Sequence, residues 1–144
     1  MNGTVAALSI STEKGVPKSN VDSIRVVEAW GIDGDAHAGN WHRQISLLML
    51  ESVNRMKEMG AEVIPGSFAE NITTSGIDLT KLDIGNRIQI GNIELEITQI
   101  GKECHSRCAI YYAVGDCVMP REGIFAKVIC GGDIRVGDTI TTAS

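Results

Sequence analysis

The sequence predicts one β-rich domain of mixed α/β class, a barrel of short strands carrying a few short helices. Three observations lead to this expectation. Short apolar runs recur along the 144 residues, Gly, Asn and Asp turns separate them, and only two stretches carry a helical apolar period. No low-complexity or Pro/Ser-rich linker divides residues 1–144, so a single domain is expected, long enough to enclose a real core. With only two each of Trp, Tyr and Phe, that core must rest on Ile, Val, Leu and Met.

The elements follow in order. Val5 to Ile10 reads as an opening strand, and residues 11–20, with Gly15 and Pro17, as a loop. Ser23 to Trp30 holds Ile24, Val26 and Val27 and reads as a second strand, which Gly31-Ile32-Asp33-Gly34-Asp35 then breaks. Ser46 to Met59 predicts a helix, because Met49, Val53 and Met56 recur at helical spacing with Leu50 beside them. Ser46 stands where an N-cap belongs and Gly60 where a C′ glycine belongs; Glu51 and Arg55 are placed for an i, i+4 pair. Arg87 to Thr98 predicts a hairpin: Ile88 and Ile90 alternate with polar residues, Gly91-Asn92 tolerates positive φ, and Ile93, Leu95 and Ile97 alternate again. Pro120 to Ile129 predicts a second, short helix, with Gly131-Gly132 after it, and Ile134 to Thr141 a closing strand. Residues 82–88 and 134–140 echo each other, Leu82-Asp83-Ile84-Gly85-Asn86-Arg87-Ile88 against Ile134-Arg135-Val136-Gly137-Asp138-Thr139-Ile140. Each predicts a tight turn into a strand.

The formal charge is −5, and no run of like charges occurs. This argues against general binding of nucleic acid or of anionic membranes, since both need clustered Lys and Arg. Met1 to Val5 lacks a basic region followed by a long apolar stretch, and the apolar segment Ile45 to Leu50 is far too short to span a bilayer. The expected location is the cytoplasm. There, Cys104, Cys108, Cys117 and Cys130 are not expected to form a disulfide framework; clustered cytosolic thiols more often bind metal or react.

The densest polar cluster is Gly101-Lys102-Glu103-Cys104-His105-Ser106-Arg107-Cys108, directly after the hairpin. Lys102, His105 and Arg107 surround Cys104 with potential positive charge, which favours the thiolate, the nucleophilic and metal-binding form. Both cysteines read equally well as small buried hydrophobes on local grounds. A structural zinc site fits poorly, because Cys117 and Cys130 are too far apart to make the second tight pair; Cys130 is expected on the apolar side of the second helix. No Gly-x-Ser-x-Gly occurs, and a Cys/His hydrolase built from Cys104 with His37 or His42 lacks a recognisable oxyanion arrangement.

Three further clusters offer polar contacts. Residues 31–43 combine glycines with Asp33, Asp35, His37, His42 and Arg43, yet match neither a calcium loop nor a phosphate-binding Walker loop. Pro65 to Thr74 carries Glu70 and Asn71, which serve as ligand contacts or as turn formers. Gly115 to Gly123 carries Arg121 at an expected helix start, a place that favours anions. A plain surface role remains open for each.

Taken in order, these clusters resemble the MOSC domain, named after the C-terminal part of molybdenum cofactor sulfurases. The resemblance runs through Gly15-Val16-Pro17-Lys18-Ser19, Gly31 to His37 and Gly66-Ser67-Phe68-Ala69-Glu70-Asn71-Ile72. It continues through Leu82 to Asn86, Gly91 to Leu95 and the Cys104 loop to Arg135-Val136-Gly137-Asp138. It is similar to the compact bacterial single-domain branch. The resemblance implies a β-barrel-like fold and a hallmark cysteine after the hairpin, a place Cys104 matches; Cys108, within Ser106-Arg107-Cys108, is its rival. It implies two roles for that sulfur, ligand to the molybdenum of a molybdopterin-type cofactor or carrier of a persulfide. The implied partners are that cofactor and, for sulfur delivery, a cysteine desulfurase or a molybdoenzyme. Arg43, Arg107 and Arg121 become candidate anion contacts, while His37, Glu70 and Asn71 become contacts to the pterin or shapers of the pocket. Because the extra N-terminal barrel of the larger reductases is missing, a cofactor-handling or sulfur-transferring accessory is expected before a full redox enzyme. The alternatives are a non-catalytic module for small anions and a component of a molybdenum-dependent oxidoreductase.

Overall fold

The computed structural model describes residues 1–14, 16–101 and 122–142. Within them the strands are β1 (Asn2–Ile10), β2 (Ser19–Val21), β3 (Ser23–Val27), β4 (Gly31–Ile32), β5 (Ile45–Met49), β6 (Ile72–Ser75), β7 (Arg87–Ile90), β8 (Ile93–Ile100), β9 (Ile124–Cys130), β10 (Gly132–Arg135) and β11 (Thr139–Thr142). One α-helix, α1 (Leu50–Glu58), follows β5.

Neighbouring strands run β11–β7–β8–β9–β5–β6–β1, and β1 closes on β11, so seven strands form a barrel with β2 attached at the end of β1. Within the barrel β5 and β6 pair in parallel and the other pairs are antiparallel. Closure removes the exposed edge that an open sheet would present. A small sheet, β10–β3–β4, stands beside the barrel.

The β7–β8 hairpin forms as expected, with Ile90 opposite Ile93 across Gly91, whose φ is +60°. Ile88, Ile90, Ile93, Leu95 and Ile97 point into the barrel and meet Val5, Leu8, Leu47, Ile72, Val128 and Ile140 there. The two echoing segments form matching turns. Asp83 N donates to Asn86 Oδ1 at 2.9 Å and Arg135 N to Asp138 Oδ2 at 2.8 Å, with Gly85 and Gly137 at φ +93° and +97°.

Two helix expectations are corrected. Residues 45–49 are strand β5, and the helix begins only at Leu50, so the N-cap place falls to Met49, which makes no side-chain cap bond. Ser46 is therefore not a cap. All five residues of β5 are buried, Ile45 and Leu47 in the barrel and Leu48 beneath α1 with Val53, Met56, Val63 and Phe68. A strand covered on both faces loses its alternation, and a short apolar run then reads as well for a helix. The helix expected over Pro120 to Ile129 is likewise overturned for Ile124 to Ile129, which belong to β9, with Ala126 inside the barrel and Phe125 on the α1 side; Pro120 and Arg121 lie outside the described residues. Cys130 consequently ends a strand, exposed, rather than lying on an apolar helix face. Gly60, at φ +102°, does follow the helix as its C′ residue. Arg55 pairs with Glu122 instead of Glu51, and Glu51 accepts from Gly76 N.

Candidate functional site

Cys104, Cys108, Arg107 and Arg121 lie outside the described residues, as does Cys117. Their attachment to the barrel is nonetheless defined. Gly101 N donates to Gly123 O at 2.6 Å, so residues 102–122 leave β8 and return to β9 at one place. The return is pinned to α1. Ser52 Oγ donates to Glu122 Oε1 at 2.6 Å, and Arg55 adds an ion pair to the same oxygen.

Around this place stand residues 41–43, which lead into β5. Thr98, at a bulge in β8, donates through its hydroxyl to His42 O, and the His42 Nε2 atom lies 2.8 Å from Gln99 Oε1. The Gln99 amide in turn donates to Gly101 O at 2.8 Å. Arg43 lies 4.6 Å from the Trp41 ring and 5.6 Å from the Phe125 ring, and Lys14 stands 4.7 Å from the Trp41 ring. Among the described residues, two aromatic rings rather than a carboxylate thus hold the Arg43 guanidinium. Its buried Nε has no hydrogen-bond partner among the described residues. Neither Arg43 nor Lys14 forms an ion pair among them. A cation–π contact orients a guanidinium while leaving the N–H groups at its edge able to donate.

His37 stacks on Trp41, with ring centroids 6.3 Å apart and planes 12° from parallel. Its Nδ1 is buried without a hydrogen bond, 3.7 Å from Asp35 Oδ2. The structure thus brings His37 and Arg43 together on one indole. Beneath them Asp35 organises the loop. It accepts from Ser11 N at 3.1 Å, from Lys18 Nζ at 2.8 Å and from His37 N at 3.0 Å, and both charged side chains of the Lys18–Asp35 pair are fully buried. Burial alone would push the Asp35 carboxyl upward. The His37 and Lys18 side chains and the backbone donors outweigh it and hold the group well below the ordinary carboxylate range.

Glu70 and Asn71 belong to a different set of partners. Asn71 Oδ1 accepts from Ser46 N at 3.0 Å and its amide donates to Ser9 O at 3.1 Å, so it straps β5 to the end of β1. Glu70 is completely buried beside Ala69, whose φ of +63° is unusual for a residue with a Cβ. Phe68 N donates to it at 3.1 Å, and burial pushes its carboxyl up despite those backbone donors. No hydrogen bond joins either residue to Trp41 or Arg43 among the described residues.

Sequence reasoning did not nominate Lys14, Lys18, Asp35 or Trp41 individually. Asp33 and Asp35 look alike in the sequence, yet only Asp35 is buried. A charged residue's burial depends on partners distant along the chain, and no local signal in Pro17-Lys18 shows it. Among the described residues no group of His, Cys, Asp and Glu could hold a metal ion. An open groove of about 460 Å³ lies elsewhere, at the hairpin end of the barrel, between Ile90–Ile93, Gly131–Asp133 and Asp138–Thr139. None of the described candidate residues lines it. No helix among the described residues is long and apolar enough to cross a membrane.

Comparison with known proteins adds three findings. The family model for the MOSC domain matches residues 33–141. The crystal structure of the YUAD protein from Bacillus subtilis superposes with a TM-score of 0.81 at 24% identity, covering 97% of this chain and 94% of that one. YiiM from Escherichia coli gives 0.68 at 16% identity, covering 100% and 70%, and YiiM from Geobacillus stearothermophilus gives 0.71 at 16%, covering 99% and 75%. At these identities the structural likeness bears on the fold. No curated protein matches the sequence.

Proposed function

The chain belongs to the MOSC domain family, and from that premise we propose that it handles a molybdopterin-type molybdenum cofactor through the thiolate of Cys104, with Cys108 as the rival sulfur. One observation carries this reading. Gly101 and Gly123, the two residues that bracket the cysteine-bearing segment, lie beside a cluster of cations and aromatic rings whose buried nitrogens, Arg43 Nε and His37 Nδ1, have no hydrogen-bond partner among the described residues.

The donor set suits such a group. Arg43 and Lys14 attract the cofactor's phosphate, His37 offers a ring nitrogen, and a deprotonated cysteine is the soft ligand that molybdenum takes. Arg107 and Arg121 add positive charge from the cysteine segment itself. When bound, the cofactor supplies a redox-active metal with sulfur ligands. The protein's part is to fix Arg43 between Trp41 and Phe125 and to hold His37 against the indole. Asn71 bonds β5 to the end of β1, and Glu70 holds its own loop through Phe68 N.

A second reading uses the same sulfur without metal. The Cys104 thiolate attacks the outer sulfur of a cysteine desulfurase persulfide, the donor thiolate leaves, and the new Cys104 persulfide keeps the proton; no oxidant is consumed. A third reading, a module for small anions, needs only the Arg43 cluster.

Metal, pterin and cyanide-labile sulfur measured in protein from a cofactor-producing host separate the three. Stoichiometric molybdenum and pterin, lost in Cys104→Ser, support the first. Labile sulfur without metal supports the second. Unchanged loading in Cys104→Ser and Cys108→Ser, with loss in Arg43→Gln, leaves the anion module.

A further inference from the structure

We propose that Lys18 and Asp35 are positioning residues that set the orientation of Trp41 and Arg43, so that a wholly buried ion pair governs the affinity of an anion site to which it does not itself belong. The inference deepens the reading above and rests on Arg43 being an anion contact.

A continuous series of bonds carries it. Lys18 Nζ donates to Asp35 Oδ1 at 2.8 Å, and Asp35 Oδ2 accepts from His37 N at 3.0 Å. His37 O then accepts from Trp41 Nε1 at 2.7 Å, and the Trp41 ring supports Arg43 at 4.6 Å. A shorter arm reaches Lys14. Lys18 Nζ also donates to Ser11 Oγ at 3.3 Å, and that hydroxyl donates to Glu13 O at 2.7 Å, one residue before Lys14. Both cations on the indole are thereby referred to one ammonium group.

Lys18 is itself immobilised from a third loop. Its N donates to Gly66 O at 2.9 Å, and its O lies where a Cβ on Gly66 would come within 2.4 Å. Only glycine permits this approach, and the φ of +97° at Gly66 suits glycine as well. Three loops, 11–18, 33–43 and 64–71, therefore meet at Lys18. An ion pair of two fully buried side chains with this many bonded neighbours has one available geometry, which is what a device for orientation requires.

The test uses the full chain with Trp30→Phe. Trp30 is exposed and stands outside the site, and its replacement leaves Trp41 as the one tryptophan. Trp41 emission is recorded while inorganic phosphate is titrated. Lys18→Met and Asp35→Asn are expected to shift the emission and weaken phosphate about 10-fold, the scale on which orienting partners act. Ile140→Val, in the barrel core, is expected to lower Tm and leave emission and affinity unchanged. Should Lys18→Met fail to fold, the isosteric Asp35→Asn decides. A folded Lys18 or Asp35 variant with parental emission and parental phosphate affinity overturns the proposal. Undiminished phosphate binding in Arg43→Gln overturns the anion reading instead, and Trp41 emission alone then decides positioning.

Discussion

Two polar clusters lie within a few residues of each other in the loops of this barrel, and they are built on opposite terms. Around Lys18 and Asp35 each buried charge meets its counterpart, and backbone donors fill much of the remaining capacity. Around Trp41 the cations Arg43 and Lys14 rest on aromatic rings, and Arg43 Nε and His37 Nδ1 go unbonded among the described residues. Buried polar groups are ordinarily bonded, so the two clusters differ in how much of their bonding capacity the described residues fill. The first cluster supplies rigidity and the second supplies capacity.

The comparison breaks most sharply at Lys18. Lys18→Met leaves the Asp35 carboxylate without its buried cation and should cost about 3–5 kcal/mol, read from urea denaturation at pH 7. Lys18→Met/Asp35→Leu, which removes both charges, should recover most of it. Because the folded Asp35 is held below its unfolded value near 3.9, its contribution is complete above about pH 4. It fades as pH falls through the depressed folded value. A parent protein whose stability does not fall in that acid range would contradict the pairing.

Gly66→Ala should cost roughly 2–3 kcal/mol, since the new methyl meets Lys18 O and φ is positive. Calorimetry detects that loss as a lowered Tm. Glu70 runs the other way from Asp35. Burial raises its folded value, so its effect on stability worsens as pH rises from the unfolded value, near 4.3, through the folded one. Stability curves for Glu70→Gln should be flatter than those of the parent as pH rises above the unfolded value. Smallest of all on stability is Arg43→Gln, expected within about 1 kcal/mol because the contacts its guanidinium makes among the described residues are cation–π ones. Cofactor loading, by contrast, should drop in that variant.

Legibility in the sequence followed the number of covered faces. Strands β7 and β8 cover one face, alternate cleanly, and were readable with their turn and register. Strands β5 and β9, hydrogen-bonded to each other, carry side chains into the barrel and toward α1 at once, so their patterns lost the period of two and read as helix. The barrel class and the glycine turns at Gly85 and Gly137 were legible because turn chemistry is local. In the site, His37 and Arg43 stood out by residue type and motif. Lys18 and Trp41 did not, because their roles arise from loops brought together only by the fold: Lys18 bonds across 17 residues to Asp35 and meets Gly66 much further along.

The 2.6 Å bond from Gly101 to Gly123 bears on how the chain tolerates insertion. It joins the end of β8 to the residue before β9, so the barrel itself holds together the two ends of the 102–122 stretch. Doubling such an insert costs only about 0.6 kcal/mol in closure entropy. A longer stretch there is therefore expected to leave the strands beneath in register.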